Sequence, residues 1–251
     1  MNLRICSYVF APSWAATLIT LALLPGLVSL GWWQLQRAEQ KRALMVQAQQ
    51  GKQQLVNIQS EGFERLPRYQ HVSVKGYYDD TRQIFLDNMP STDPSRPGQP
   101  GYRVLTPFVV DDQGNTALVL VDRGWVGGAT DRKQLPIVNV GSQLREIRGL
   151  IDNLPQPGVR AGDAGIKNGV WPQVLNYPKV QELRAIYGDL LFARIILLDP
   201  DQAEGYSRFW SIDLGFTPER HVGYAVQWFG LALTLLIIYI VVNLKRIDVV
   251  K

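Results

Sequence analysis

The sequence predicts a membrane protein with two transmembrane helices, N- and C-terminal, flanking one mostly-β α+β domain. Three observations carry that reading. No charged residue lies between Arg4 and Arg37. None occurs from Val222 to Leu244. The stretch between these runs alternates apolar segments with turn residues and is electrically balanced: of 26 Lys+Arg and 22 Asp+Glu, 21 of each lie between Ala38 and Arg220.

The first run, "APSWAATLITLALLPGLVSLGWWQL", is assigned to a span at residues 11–35 behind a tail at 1–10. A bilayer core of about 30 Å needs about 20 helical residues at 1.5 Å rise. Trp14, Trp32 and Trp33 bracket the run, as expected for side chains that favour the interface. Pro25 is a potential kink of the kind membrane helices tolerate. The run is long for a signal peptide, and no small-x-small site follows it, so it reads as an uncleaved anchor. No Arg-rich presequence precedes it, which points to a bacterial protein. Cys6 is the one cysteine, so an internal disulfide is excluded.

The central segment, 36–220, opens with strong helix formers that continue the first span to Gly51. "HVSVKGYY" (71–78) alternates as a half-buried strand does, and "RQIFLDN" (82–88) follows a "DDT" turn. "GYRVLTPFVV" and "TALVLVDRGWV", separated by "DDQGN", predict a hairpin. Residues 142–151 and 193–199 add strands. Residues 177–191 predict a helix with Pro178 in its first turn and Val180, Leu183, Tyr187 and Leu190 on one face. Residues 89–101 and 152–172 read as loops rich in Pro or Gly. No internal repeat or heptad seam stands out.

The second span is assigned to residues 221–244, with a tail at 245–251. Two spans place both tails on one side. Basic residues flank both sides of the spans in similar number, so positive-inside counting leaves orientation open. A pI of about 9.2 suggests nucleic acid, but the net +4 sits at the membrane edges and no basic domain exists.

Most signatures of catalysis are absent: there is no G-x-S-x-G elbow and no phosphate loop, and the many carboxylates form no pattern that points to a hydrolase. One Cys and two His cannot assemble an ordinary zinc site by themselves. His71 reads as an ordinary surface or core-edge histidine. Asp122–Trp125 reads as a structural turn with a charge pair, a glycine and a packed tryptophan. His221 differs because it stands at the mouth of the second span. On a helix it shares a face with Tyr224, Ala225, Trp228 and Ala232. A neutral imidazole there suits either an axial haem ligand or an anchor for the helix end. Opposite it, Gly223, Gln227, Gly230 and Thr234 form a stripe of small and polar residues expected to pack on the first span.

Three pieces, "LGWWQLQRAEQK" (30–41), "VLVDRGWV" (119–126) and "HVGYAVQWF" (221–229), resemble the Surfeit locus protein 1 family in order and placement. Gly31, Trp33, Gln34 and Arg37 match its first signature, and Arg123, Gly124 and Trp125 its second. The chain departs at Glu219 and Arg220, near where many relatives carry asparagine. The resemblance implies an extracytoplasmic central domain and a multi-pass protein of the bacterial cytoplasmic (inner) membrane. It implies a non-enzymatic assembly factor for haem-copper cytochrome c oxidase that transiently binds haem a and aids its insertion into subunit I. The alternative is a haem-free scaffold for nascent subunit I. Implied partners are subunit I, haem a synthase and membrane lipid. The resemblance makes His221 the metal ligand, and the helical spacing that sets Tyr224 and Trp228 on its face makes them the candidate haem-site residues. Arg37 and Lys41, four apart, are candidates for pairing with the haem carboxylates or, equally, for contacting lipid phosphates.

Overall fold

The structure, a computed structural model, describes residues 4–5, 8–58, 62–112, 115–128, 134–157, 162–210 and 216–246. Cys6 and Lys251 lie outside them. Two long apolar helices near the chain ends accompany a sheet-rich central domain, as the sequence predicts. The chain forms two compact units, one of residues 1–46 with 213–251 and one of residues 47–212.

In the first unit, β1 (Arg4–Ile5) and β2 (Tyr8–Phe10) precede α1 (Trp14–Gln53), which continues through Pro25 and Gly51. The central unit then carries the strands β3 (Leu55–Ile58), β4 (His71–Tyr78), β5 (Ile84–Pro90), β6 (Pro100–Asp112), β7 (Asn115–Gly127), β8 (Arg145–Asn153) and β9 (Gln173–Leu175). It ends with α2 (Val180–Tyr187) and β10 (Leu191–Leu198). α3 (Pro218–Val242) and β11 (Leu244–Arg246) return to the first unit. There β11 pairs antiparallel with β2, and β2 with β1, so the two tails share a small sheet that the sequence did not announce.

The central sheet closes on itself. β4 pairs with β8 through His71–Gly76 and with β6 through Gly76–Tyr78. The remaining joints are β8–β10, β10–β7 and β7–β6, which complete a five-stranded ring. β8 returns beside β4 after the β4–β6–β7 meander, a Greek-key path, and β10 fills the last gap parallel to β7. OB-folds are barrels of this kind, although strand architecture alone carries no function.

Alternation decides what the ring encloses, because successive side chains on a strand face opposite ways. Val72, Val74 and Tyr78 of β4, Phe108 and Val110 of β6 and Val119 and Val121 of β7 form one core cluster with Ile147, Ile151, Ile196 and Leu198. The opposite faces present Leu105, Leu118, Leu120, Leu150, Ile195 and Leu197 to a second core, shared with β5, β9 and α2. α2 starts later than predicted: Pro178 precedes its N-cap, Lys179, whose backbone N–H donates to Glu182 Oε2 at 2.7 Å. Leu183 and Tyr187 enter the core, but Leu190 lies beyond the helix end and is exposed, because Gly188 stops the helix two residues earlier.

Candidate functional site

The site begins with the start of α3. Thr217 caps the helix, its hydroxyl accepting from the Arg220 backbone N–H, and Pro218 takes the first helical position, where no amide donor is needed. These residues place His221 in the first turn, immediately before the uncharged run. Its Nδ1 lies 2.7 Å from Oε1 of Gln34 on α1. Phe216 meets the imidazole edge-on, with ring centroids 6.2 Å apart.

His221 faces α1 and is only 9% exposed. Ala225 and Ala232, on the same face, are 1% and 4% exposed. Among the buried or half-buried positions of α3, His221, Ala225, Trp228, Ala232, Leu235 and Tyr239 recur in steps of four and three, with Val222 and Phe229 flanking them. Among those of α1, Thr20, Leu24, Leu27, Gly31, Gln34, Ala38 and Lys41 recur in the same steps. This is a seven-residue repeat, the seam that inspection of the sequence missed. Phe229 lies so close to Gly31 that an added Cβ would come within 2.7 Å of its ring.

The stripe expected to pair the helices therefore faces the other way. Gly223, Gln227, Gly230 and Thr234 are exposed, and a Cβ added at Gly223 or Gly230 would meet nothing within 4 Å. The correction has a physical reason. Alanine is small enough for close helix approach, and α1 supplies on this side both the space of Gly31 and the acceptor of Gln34. At the opposite end Thr17 Oγ1 and Tyr239 OH lie 2.9 Å apart, and Ser13 N donates to Asn243 Oδ1 at 2.7 Å.

The remaining predicted residues divide. Tyr224 is 45% exposed, on the open flank of the seam, so it does not share the buried face of His221. Trp228 is half-buried. Arg37 is exposed, donates to Gln40 Oε1 at 3.1 Å and lies over the Trp33 ring at 5.6 Å. Lys41 is half-buried on the α1 seam. Gln34 is the partner that sequence reasoning overlooked. A polar amide in the uncharged run, one turn from a basic residue, was the available signal.

The "DRGW" segment sits in the central unit. Asp122 and Arg123 are neighbours on a strand and face opposite ways, so they do not form the predicted charge pair. Asp122 is buried against Arg103, and its Oδ1 accepts from Gly124 N at 3.0 Å. Burial pushes its carboxyl up, against the pull of Arg103. Arg123 is 1% exposed and continues the row of side chains inside the barrel. It donates to the carbonyls of Glu204 and Val138 at 2.8 Å each, and more loosely to Gln83, Thr106 and Tyr206 at 3.3–3.4 Å. It has no carboxylate partner among the described residues. Gly124 has φ +110°, and Trp125 buries its ring with Nε1 donating to Met89 O at 2.9 Å. The segment thus plugs the barrel as the end of β7, not as the predicted turn with an internal charge pair; its packed tryptophan is as predicted. His71, also read as structural, pairs with Asp199 at 2.5 Å.

No group of three or more His, Cys, Asp or Glu side chains could hold a metal among the described residues. Both apolar helices are long enough to cross a bilayer, and only 11% of each apolar window is buried. There are two such helices among the described residues, not a larger multi-pass set.

These features define a membrane protein with a β-barrel domain and a histidine–glutamine pair between its two helices. Residues 21–233 match the model of the SURF1 family, which covers all three quoted motifs, and the chain belongs to that family. It is 26% identical over 244 residues to a SURF1-like protein of Rickettsia felis, covering 92% of this chain and 98% of that one. A SURF1-like protein of Rickettsia prowazekii is 28% identical over 225 residues, covering 86% and 84%. Surfeit locus protein 1 of Xenopus tropicalis is 25% identical over 244 residues, covering 87% and 71%. The SURF1 family is known for cytochrome oxidase assembly and is an assembly-factor family, not a catalytic one.

Proposed function

We propose that the chain is an assembly factor for haem-copper cytochrome c oxidase that holds haem a through His221 and aids its insertion into subunit I. One observation carries the proposal: a histidine with Nδ1 occupied by Gln34 stands where the polar first turn of α3 meets the apolar run. A neutral imidazole so arranged has Nε2 left to bind iron. Haem a supplies the metal and the apolar tail as cargo. The chain's part is to hold, orient and shield it. Tyr224 and Trp228 border the open flank of the helix pair and would receive the ring, and Arg37 and Lys41 are the basic residues nearest in sequence to Gln34 for its carboxylates. In this reading the protein lies in the bacterial inner membrane with the central domain outside the cytoplasm. Subunit I is the receiving partner, with haem a synthase the natural donor.

The test is haem a content and the Soret band of full-length protein purified from cells that make haem a. His221→Ala should lose most of the haem while remaining inserted, and His71→Ala should retain it. Equal retention in the two variants would remove His221 from the ligand role. A second reading, a haem-free scaffold for subunit I, is favoured by the burial of His221 against α1, since that contact joins the helices without a ligand. It predicts that wild-type protein co-purifies with subunit I in cells unable to make haem a.

A further inference from the structure

We propose that Gln34 is the positioning residue of the His221 site: it fixes the imidazole as the Nδ1–H tautomer and reserves Nε2 for iron. The inference rests on the haem reading above. A glutamine Oε1 only accepts, so at 2.7 Å the hydrogen belongs to Nδ1 of His221. A neutral imidazole carries one N–H, so Nε2 then holds the lone pair. The acceptor comes from α1. On its own helix, the carbonyl of Thr217 one turn back already takes the His221 backbone N–H at 3.4 Å. Gln34 is itself set between Gly31 and Ala38 on the α1 seam, which limits where its amide can reach.

A bond serving only to join the helices would have less reason to select this geometry. The spans are already joined at the other end by Thr17–Tyr239 and Ser13–Asn243. Ligating histidines almost always donate their second N–H to an oxygen, and removing that partner lowers metal affinity about 10–100-fold. Sequence alone gives Gln34 no role of this kind, because the partners are 187 positions apart.

The experiment uses the full chain in detergent, in a Cys6→Ser background, labelled with 15N-histidine. There are two histidines, so His71→Ala assigns the signals. The wild type should show His221 as the Nδ1–H tautomer. Gln34→Leu should mix the tautomers and lower haem a retention about 10-fold or more. It should preserve helix pairing, read by bismaleimide crosslinking of Thr17→Cys to Tyr239→Cys. Gln34→Glu should restore the tautomer and retain haem a, with the midpoint potential moved negative because an anionic acceptor makes the imidazole a stronger donor. A Gln34→Leu protein with wild-type tautomer and haem retention, while His221→Ala loses haem, would overturn this inference and leave the haem reading standing. Loss of crosslinking in Gln34→Leu would make the bond a helix joint and also overturn it. Haem retained by His221→Ala would overturn the haem reading and this proposal together, a result distinct from the other two.

Discussion

Replacing Gly124 by alanine tests the plug of the barrel. The residue has φ +110°, where an L side chain is held at a cost of about 1–3 kcal/mol. Its new Cβ would lie 2.6 Å from Arg208 Cγ, 2.7 Å from Ser207 O and 3.1 Å from the Tyr206 carbonyl carbon. Arg208 cannot simply swing aside. Its guanidinium donates to the carbonyls of Asp199, Pro200, Gln202 and Tyr206. The backbone at Ser207 must move instead, straining the Trp125 N–Ser207 O bond of 2.8 Å and its reciprocal of 3.2 Å. At about 1 kcal/mol net for each bond, the total destabilisation is about 3–5 kcal/mol. For a unit of this size, about 2–4 °C per kcal/mol gives a fall in melting temperature of roughly 6–20 °C. Near-ultraviolet circular dichroism of the full chain in detergent reads it, since Trp125 and Trp210 are packed in this region. Gly128→Ala is the control: its Cβ meets Tyr102 at an ordinary 3.5 Å, so stability should change by no more than about 0.5 kcal/mol. A Gly124→Ala protein melting within about 2 °C of wild type would refute the reasoning.

Ala225→Leu should overfill the helix seam, costing about 1–3 kcal/mol, and abolish the Thr17–Tyr239 crosslink. Gly230→Leu should leave that crosslink intact, and the reverse pattern would restore the glycine stripe as the interface. Burial raises the Tyr78 hydroxyl to about 12, and that hydroxyl has no hydrogen-bond partner among the described residues. The unfolded chain loses this proton near 10 and the folded chain near 12. Stability is therefore full below pH 10 and falls by about 2–3 kcal/mol as pH rises to 12. Tyr78→Phe should remove that share of the alkaline slope in urea titrations, and an unchanged slope would exonerate Tyr78. For topology, a periplasm-active reporter fused at Asn115 should be active and the same reporter after Lys251 silent; silence at Asn115 would reverse the orientation.

The spans and most barrel strands were legible because uncharged runs and period-two alternation are local properties. The hairpin of β6 and β7 needed only its turn. The closure of the ring was not legible, since β4–β8 and β7–β10 join residues about 70 positions apart and no local pattern encodes such pairing. β3 and β9 are four and three residues long and too short to show a period. The α3 interface failed for another reason. A helical wheel displayed two small-residue faces, and the choice between them was made by Gly31 and Gln34 on a different helix. For Asp122 and Arg123 the information was present: in a strand, adjacent residues cannot share a face, so the expected pair was already at odds with the predicted strand. Of the candidate site, His221 was legible from its position and its acceptor was not.

The ring also has a consequence for how the chain is made. Its last stave, β10, ends at Leu198, only 20 residues before α3 begins at Pro218. During N-to-C synthesis β4, β6, β7 and β8 all emerge before that stave exists, leaving β7 and β8 each with an edge unfilled. A premature stop anywhere before Leu191 would not yield a smaller barrel. It would yield open strand edges beside an apolar lining, the kind of surface that recruits other chains. Loss of the chain from Leu191 onward should accordingly remove the whole product by aggregation or proteolysis, even with every residue of the first span and of the "DRGW" plug intact.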